Sequence, residues 1–304
     1  RKAQLDVALA PGKVAVTRLE GKALGGTVLA NLLLERAPGG ADVSGDVRLH
    51  DIRLKRRGAK KSNDAEGGMA SVALQFSGRA STPGGLVAVA VGKGEMKLGD
   101  VSMHLPTPLA VVETSEAALS GDAGAAGEAL TTALREKMAE SQVKVGPRTI
   151  GIDVADGAAR FAEFTLPSPA GATKVSTTVD LASLMVDSTW ILQPKAPDVV
   201  RPDLPRKGAL PPVEVVYVGP LKDAWSIDPR ISAEPLEREL AIRRMELDAE
   251  QLERLHRLDQ ERARELEERR RAIEESQADD APAPAARESG PTGATAPDTV
   301  ERQP

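Results

Sequence analysis

The chain has 304 residues, a formal net charge of −5 and a hydrophobic content of 41%, which is enough for a globular core, although aromatic residues make up only 2%. Charges of both signs are dispersed, which argues against nucleic acid as a partner, because a phosphate-binding protein would present a basic face. The absence of cysteine excludes disulfides, thiolate metal sites and cysteine nucleophiles. No run of about 18 apolar residues is present, so no transmembrane helix is predicted in this chain.

The first part of the chain alternates apolar and polar residues with a period of two, which is typical of half-buried strands. Strands are predicted over residues 4–9, 13–19, 27–35 and 41–54. Past Asp51 the apolar positions shift by one residue, which predicts a β-bulge. The segment 55–66 (KRRGAKKSNDAE) is charged, contains no apolar residue larger than its two alanines and is interpreted as a solvated loop. The alternative is a basic patch that contacts anionic lipid headgroups.

Residues 68–103 predict a strand, a short helix and a second strand. In the first strand Val72, Leu74 and Phe76 alternate with polar or small residues. Thr82 is a plausible N-cap with Pro83 at the first helical position, although the valines that follow favour a strand. Alternation resumes after the GKG tripeptide at 92–94.

The chain beyond residue 103 combines one predicted helix with further strands. Apolar residues recur at spacings of three and four over residues 121–141, which predicts a helix of about four turns. Alternation then returns and predicts strands around residues 143–145, 150–154, 164–166, 175–179 and 188–192. A proline-rich stretch over residues 194–212 predicts extended chain, and residues 213–218 form a last apolar run.

A long charged helix is predicted to begin near Ser232 and to continue to residue 276. Glu–Arg pairs at i,i+4 support it, among them Glu239–Arg243. Met245 and Leu252 share a heptad position with Leu266 and Ile273, but Asp259 interrupts the series. The helix is therefore interpreted as mostly solvated, with coiled-coil pairing or docking on another protein through residues 236–275 as the alternative. The Ala-, Pro- and Glu-rich residues 277–304 are predicted to be disordered.

The sequence indicates no catalytic, metal or cofactor site. His50, His104 and His256 are scattered, and no carboxylate stands at metal-ligand spacing from any of them. The GKGEMK segment at 92–97 is followed by a strand pattern, so it lacks the helix N-terminus that would hold a phosphate. A glycan-cleaving enzyme would need a pair of carboxylates in a cleft, and the sequence indicates none. The chain is predicted not to be an enzyme.

Six stretches, in three parts of the chain, resemble the C-terminal region of the AsmA family of Gram-negative envelope proteins. SGRASTP at 77–83 and GKGEMKLGD at 92–100 are similar to the family's repeat, apart from two glycines at 84–85 and the order of Gly99 and Asp100. LDVAL at 5–9, LEGKALGGT at 19–27 and VSGDVRLHDI at 43–52 resemble its opening meander. KVSTTVDLASLMVDSTWIL at 174–192 resembles its closing strands, with Asp180-Leu181 and Trp190 in the matching places. The resemblance covers roughly residues 3 to 192.

This resemblance implies a mainly β fold, in which an antiparallel meandering sheet curls into a groove or open barrel, with one or two short helices and a long C-terminal helix. It also implies a periplasmic protein, anchored to the inner membrane by a segment upstream of this chain, that functions in phospholipid passage or outer-membrane assembly. The predicted organisation is a β-rich domain over residues 1–193, an extended segment with a final strand over 194–231, a helix over 232–276 and a tail over 277–304.

The predicted lipid-contacting residues are the apolar side chains of alternating strand positions. They are Val72, Leu74, Phe76, Met96, Leu98, Ile150, Ile152, Phe164, Leu166, Val175, Val179 and Trp190. Acyl chains need continuous hydrocarbon surface rather than polar specificity, so phospholipid or another acyl-chain lipid is the expected partner. The alternative is a structural or protein-binding scaffold, in which the sheet has an ordinary filled core and the long helix docks a partner.

Overall fold

The computed structural model describes residues 3–23, 25–54, 67–195 and 209–279, without the side chains of Pro83, Trp225 and residues 274–279. The predicted loop over residues 55–66 and most of the proline-rich stretch lie outside the described residues, as does the predicted tail from residue 280 onward. The chain divides into a compact unit that ends at Leu247 and a second unit that begins at Asp248.

The elements of the first half are mostly long strands. They are β1 (Gln4–Ala10), β2 (Lys13–Ala23), β3 (Gly26–Ala37), β4 (Gly40–Leu54), β5 (Gly68–Ala80), helix α1 (Pro83–Val89) and β6 (Val91–Leu98). The predicted bulge is present, since the β4–β5 register shifts between Leu49 and Ile52, and Asp51 has a φ of 56°. The predicted cap of α1 is also present, because the Gly85 N–H donates to Thr82 Oγ1 at 3.0 Å.

The second half contains a helical insertion and six more strands of the sheet. Its elements are β7 (Val101–His104), α2 (Pro108–Ser120), α3 (Gly127–Glu140), β8 (Gln142–Val145), β9 (Arg148–Ala155), β10 (Ala158–Ser168), β11 (Gly171–Asp180), β12 (Met185–Pro194), β13 (Val213–Pro220), a 3-10 helix (Leu221–Ser226), β14 (Arg230–Ser232) and α4 (Glu234–Asp279).

Twelve strands of the described chain form one antiparallel sheet in the order β1-β2-β3-β4-β5-β6-β9-β10-β11-β12-β13-β14, and this sheet is not closed. The order is a meander with one interruption, because β7 and β8 pair with each other and, together with α2 and α3, form an insertion between β6 and β9. The prediction of a mainly β fold with an antiparallel meander and a long C-terminal helix is confirmed.

The helices of the insertion differ from the prediction in number and position. The predicted helix over residues 121–141 begins only at Gly127, and a separate helix, α2, precedes it. Thr107 caps α2 through Ala110 N, Pro108 follows at the first turn, and Gly121 ends the helix with a φ of 89°. This is the same Thr-Pro start that predicted α1, but no helix was predicted at Pro108.

Helix α4 begins at Glu234, close to the predicted start, and contains the predicted pair in which Arg243 Nε donates to Glu239 Oε1 at 2.7 Å. Leu236 and Leu240, in its first two turns, are fully buried in the first unit. In the second unit, the side chains described from Asp248 to Ile273 are all exposed. Within the described residues, no helix combines the length and the apolar character that a membrane span needs.

Candidate functional site

Strand register places one row of apolar side chains from each long strand on the same side of the sheet. Residues paired directly across neighbouring strands lie on the same face, so the pairing pattern identifies this face from one edge of the sheet to the other. We call it the apolar face. It includes Leu5, Val7 and Leu9; Val14 and Val16; Val28, Leu32 and Leu34; Val43, Val47 and Leu49; Val72, Leu74 and Phe76; Met96 and Leu98; Ile150, Ile152 and Val154; Phe161, Phe164 and Leu166; Val175 and Val179; Val186, Trp190 and Leu192; and Val213 and Val215.

All twelve predicted lipid-contacting residues lie on the apolar face, and the sheet therefore brings them together as one surface. Their burial, however, divides them into two groups. Val72, Leu74, Phe76, Met96, Leu98, Phe164 and Trp190 are half-buried, whereas Ile150, Ile152, Leu166, Val175 and Val179 are buried. The buried group cannot contact a lipid without displacing the protein's own side chains.

Helices cover the apolar face over β12 and β13. Leu192, Val213 and Val215 of the sheet pack in one cluster with residues of α2 and α3 and with Leu236 and Leu240 of α4. Several members of this cluster have no exposed surface at all. The space on this part of the sheet is a filled core, as the scaffold alternative predicted for the whole sheet.

The two-stranded β7–β8 pair covers a neighbouring part of the same face. Val101 and Val145 of this pair pack against Leu166 and Val175 of β10 and β11, and Val175 is only 1% exposed. A third buried cluster, centred on Ile152, Val154, Ala159, Val179 and Val186, extends over β9 to β12. Half-buried Val72, Leu74 and Met96 lie at the margin of that cluster.

A hydrogen-bonded polar group interrupts the apolar face beside Trp190. Trp190 Nε1 donates to Ser188 Oγ at 2.9 Å, and the Ser188 and Thr177 hydroxyls are 2.7 Å apart. Tyr217 meets the Trp190 ring edge-on, with centroids 6.2 Å apart, and burial raises the pKa of Tyr217 to about 12. These contacts hold Trp190 in the covered part of the sheet, although the sequence placed it among the lipid-contacting residues.

Glycines give the apolar face its shape around β5. A Cβ on Gly45 would approach Phe76 Cζ at 3.1 Å, and one on Gly92 would approach Phe76 Cβ at 3.1 Å. A Cβ on Gly94 would likewise approach Leu74 Cδ1 at 3.1 Å. The nearest atoms are backbone oxygens, since a Cβ on Gly92 would lie 2.5 Å from Gln75 O and one on Gly94 would lie closer still to Ala73 O. The two glycines of the GKG motif therefore allow β6 to approach the backbone of β5 closely.

The apolar face is least covered over β1, β2 and β3. In the described part of the chain no helix packs broadly on these strands. Leu9 is 77% exposed and Val7 49%, Leu5, Val14 and Leu19 are also exposed, and Leu32 is half-buried. We call the side chains Leu5, Val7, Leu9, Val14, Val16 and Leu32 the open strip. A contiguous exposed apolar surface of this kind is typical of an interaction site.

The open strip was missed as a candidate site. Its alternation was recognised as a strand pattern, but the candidate residues were taken from β5 onward, where the sequence motifs lie. Alternation alone cannot distinguish a strand face that is covered from one that is open. The signal that would have found it is the lack of any helix pattern in the first 80 residues, since nothing local is available to cover these strands.

The opposite face of β1 to β5 carries exposed ion pairs, although Leu29 and Leu33 also lie on it. Arg79 donates to both carboxylate oxygens of Asp42, at 2.5 and 2.8 Å, and the guanidinium lowers the pKa of Asp42. Lys13 pairs with Glu35 at 2.9 Å, and Arg18 pairs with Glu20. These pairs are exposed, so they add little to stability, and they mark the polar side of the sheet.

Among the described residues, no cluster of three or more His, Asp or Glu side chains could hold a metal ion. His50 is exposed on β4 and His256 on α4, while His104 is half-buried on β7. Comparison with family models, with curated proteins and with solved structures finds no match to this chain.

Proposed function

We propose that the chain is a non-enzymatic envelope protein whose apolar face carries acyl chains, in phospholipid passage or outer-membrane assembly between the inner and outer membranes. The observation on which this depends is the open strip, a contiguous set of exposed and half-buried aliphatic side chains on β1, β2 and β3. The resemblance of residues 3–192 to the AsmA family supports a periplasmic location and an inner-membrane anchor upstream of the chain.

The dimensions of the surface support acyl chains as the partner. Five inter-strand spacings of about 4.8 Å separate β1 from β6, so the exposed and half-buried part of the apolar face is about 24 Å wide. One leaflet of a bilayer has a hydrocarbon thickness of about 15 Å, half of the ~30 Å core. A single acyl chain could therefore lie across these strands with its whole length on hydrocarbon.

The composition of the open strip also fits a lipid better than a specific polar ligand. Its members are Leu and Val, which offer hydrocarbon surface and no hydrogen-bonding groups. Burial of apolar area is favourable at about 25 cal/mol per Å² without directional contacts, so such a surface would bind acyl chains of different lengths. Of the sequence-predicted residues, Val72, Leu74, Phe76, Met96 and Leu98 adjoin this strip and belong to the proposed surface.

The test is mass spectrometry of the lipids that co-purify with the protein from envelope extracts. Val14→Asp and Leu74→Asp each place a carboxylate on the apolar face, and lipid occupancy should fall because hydrocarbon cannot cover a charge without its desolvation cost. Gln75→Asp is the matched control, since Gln75 is the exposed neighbour of Leu74 on the opposite face. A folded Val14→Asp protein with its full lipid load would refute the proposal.

The scaffold function is the second candidate, and the filled clusters over β9–β13 favour it for that part of the sheet. In this alternative the open strip and helix α4 dock other envelope proteins. Equal and negligible lipid content in the native protein and in Val14→Asp, together with a captured protein lost only from Val14→Asp, would support the scaffold.

A further inference from the structure

The exposed part of α4 carries a pattern that combines three members of the heptad series described from the sequence with residues three positions before them. Ala249, Leu252, His256, Asp259, Ala263 and Leu266 follow one another at spacings of three, four, three, four and three, and all six are exposed. Such alternating spacing keeps residues on a single stripe of a helix that supercoils with another helix. We call these six residues the seam. They all lie in the second unit, beyond Asp248.

A parallel pair of two copies would place each seam residue beside its own equivalent. His256 would then meet His256 of the partner subunit, and Asp259 would meet Asp259 of the partner subunit. Two carboxylates would face each other without a counter-charge, and Ala263 would face an alanine, which leaves a gap. The seam therefore disfavours parallel pairing.

Antiparallel pairing makes the same six residues complementary. With the two-fold axis midway between His256 and Asp259, the imidazole of His256 lies opposite Asp259 of the partner subunit, and the contact occurs twice. An imidazole donates an N–H to a carboxylate in either protonation state. Leu252 then lies opposite Ala263 of the partner subunit, and Ala249 opposite Leu266 of the partner subunit. Every seam residue thus has a partner that matches it in charge or in size.

From this complementarity we propose that residues 249–266 associate with the same segment of a second copy as an antiparallel helix pair. Residues beside the seam are also complementary in this arrangement. Asp248 lies opposite Arg269 of the partner subunit, and Leu255 lies beside the aliphatic stem of Arg262 of the partner subunit. Outside the seam, Glu267 approaches Glu246 of the partner subunit, a like-charge contact. The paired segment is only about 27 Å long, so we expect a weak dimer.

Sedimentation equilibrium of the full chain over a range of concentrations measures this association. His256→Asp places carboxylates opposite each other twice, and it should weaken the dimer at least tenfold. The double variant His256→Asp with Asp259→His restores both pairs only in the antiparallel arrangement, so it should recover the native constant. Glu261→Ala, on the opposite side of the helix, is the control and should leave association unchanged.

Cross-linking tests the orientation, since the chain has no cysteine of its own. An equimolar mixture of Leu252→Cys and Ala263→Cys proteins, treated with a short thiol–thiol cross-linker, should yield the mixed product. Leu252→Cys alone should yield none, because the two introduced thiols would be about 16 Å apart along the axis. A chain that stays monomeric at hundreds of micromolar, or one that cross-links Leu252→Cys to itself, would overturn the proposal. The test does not depend on lipid binding.

Discussion

The two ends of the sheet share one apolar face but differ in how far its side chains are buried. Over β9 to β13 the face lies under α2, α3, the β7–β8 strand pair and the first turns of α4, and many of its side chains are fully buried. Over β1 to β3 the same alternation of Leu and Val leads to exposed side chains. The comparison shows that burial here depends on where the chain places its covering elements and not on the strand pattern.

The largest expected difference between the two regions is the cost of a buried charge. Leu134→Asp, in the fully buried part of α3, should unfold the protein or lower its stability by several kcal/mol, because the carboxylate has no partner or water. Leu9→Asp, at 77% exposure, should stay within about 0.5 kcal/mol of the native protein. Urea denaturation measures both. Similar losses for the two variants would show that the open strip is covered.

A smaller effect is expected where α1 meets β5. A Cβ at Gly78 would lie 3.1 Å from Leu86 Cδ1 and 3.3 Å from Ala90 Cα, so Gly78→Val should displace α1 at a cost of about 1–3 kcal/mol. Gly84→Ala, in the same helix with no neighbouring atom within 4 Å, should instead stabilise α1 slightly. Chemical denaturation with circular dichroism distinguishes them. A neutral Gly78→Val variant would mean that α1 does not pack on the sheet.

Alkaline titration compares the environments of the two regions without disrupting them. Tyr217 is the single tyrosine, and burial raises its pKa to about 12. The unfolded chain releases this proton near pH 10, whereas the folded protein retains it. Stability is therefore unaffected below pH 10 and falls as the pH rises towards 12.

Leu5→Tyr in a Tyr217→Phe background supplies the counterpart from the open strip, and it should titrate near the ordinary value of about 10. Tyrosinate absorbance follows both proteins. Equal titration midpoints would contradict the difference in burial.

The smallest effect is expected on the exposed part of α4. Leu252→Glu and Leu266→Glu should change stability by no more than about 0.5 kcal/mol at low protein concentration, because both side chains are more than 60% exposed. Thermal unfolding at sub-micromolar concentration measures this. A large loss there would place α4 against another part of the folded chain.

Local features of the fold were predictable because their causes lie within a few residues. The alternation of Leu5, Val7 and Leu9 predicts a strand, and the shift of apolar positions past Asp51 predicts the bulge that the structure contains. Thr82-Pro83 predicts the start of α1. Thr107-Pro108 is the same signal, but no helix was predicted there.

The candidate site was only partly predictable. Every sequence-predicted lipid-contacting residue lies on the apolar face, because a period of two determines which side of a strand a side chain occupies. Which of them are accessible depends on α2, α3 and the β7–β8 strand pair, which are distant in sequence from β12 and β13. The role of the GKG glycines was also hidden, since the backbone that approaches them, at Gln75 and Ala73, belongs to another strand.

The sequence by itself therefore determined most strands of the meander, the start of α1 and the face to which each apolar side chain points, because propensity, turn residues and periodicity act over short distances. Only the tertiary structure decided that the face is covered at one end and open at the other, since coverage comes from long-range packing. The same distinction holds for α4, where the sequence predicts a helix and packing buries only its first turns.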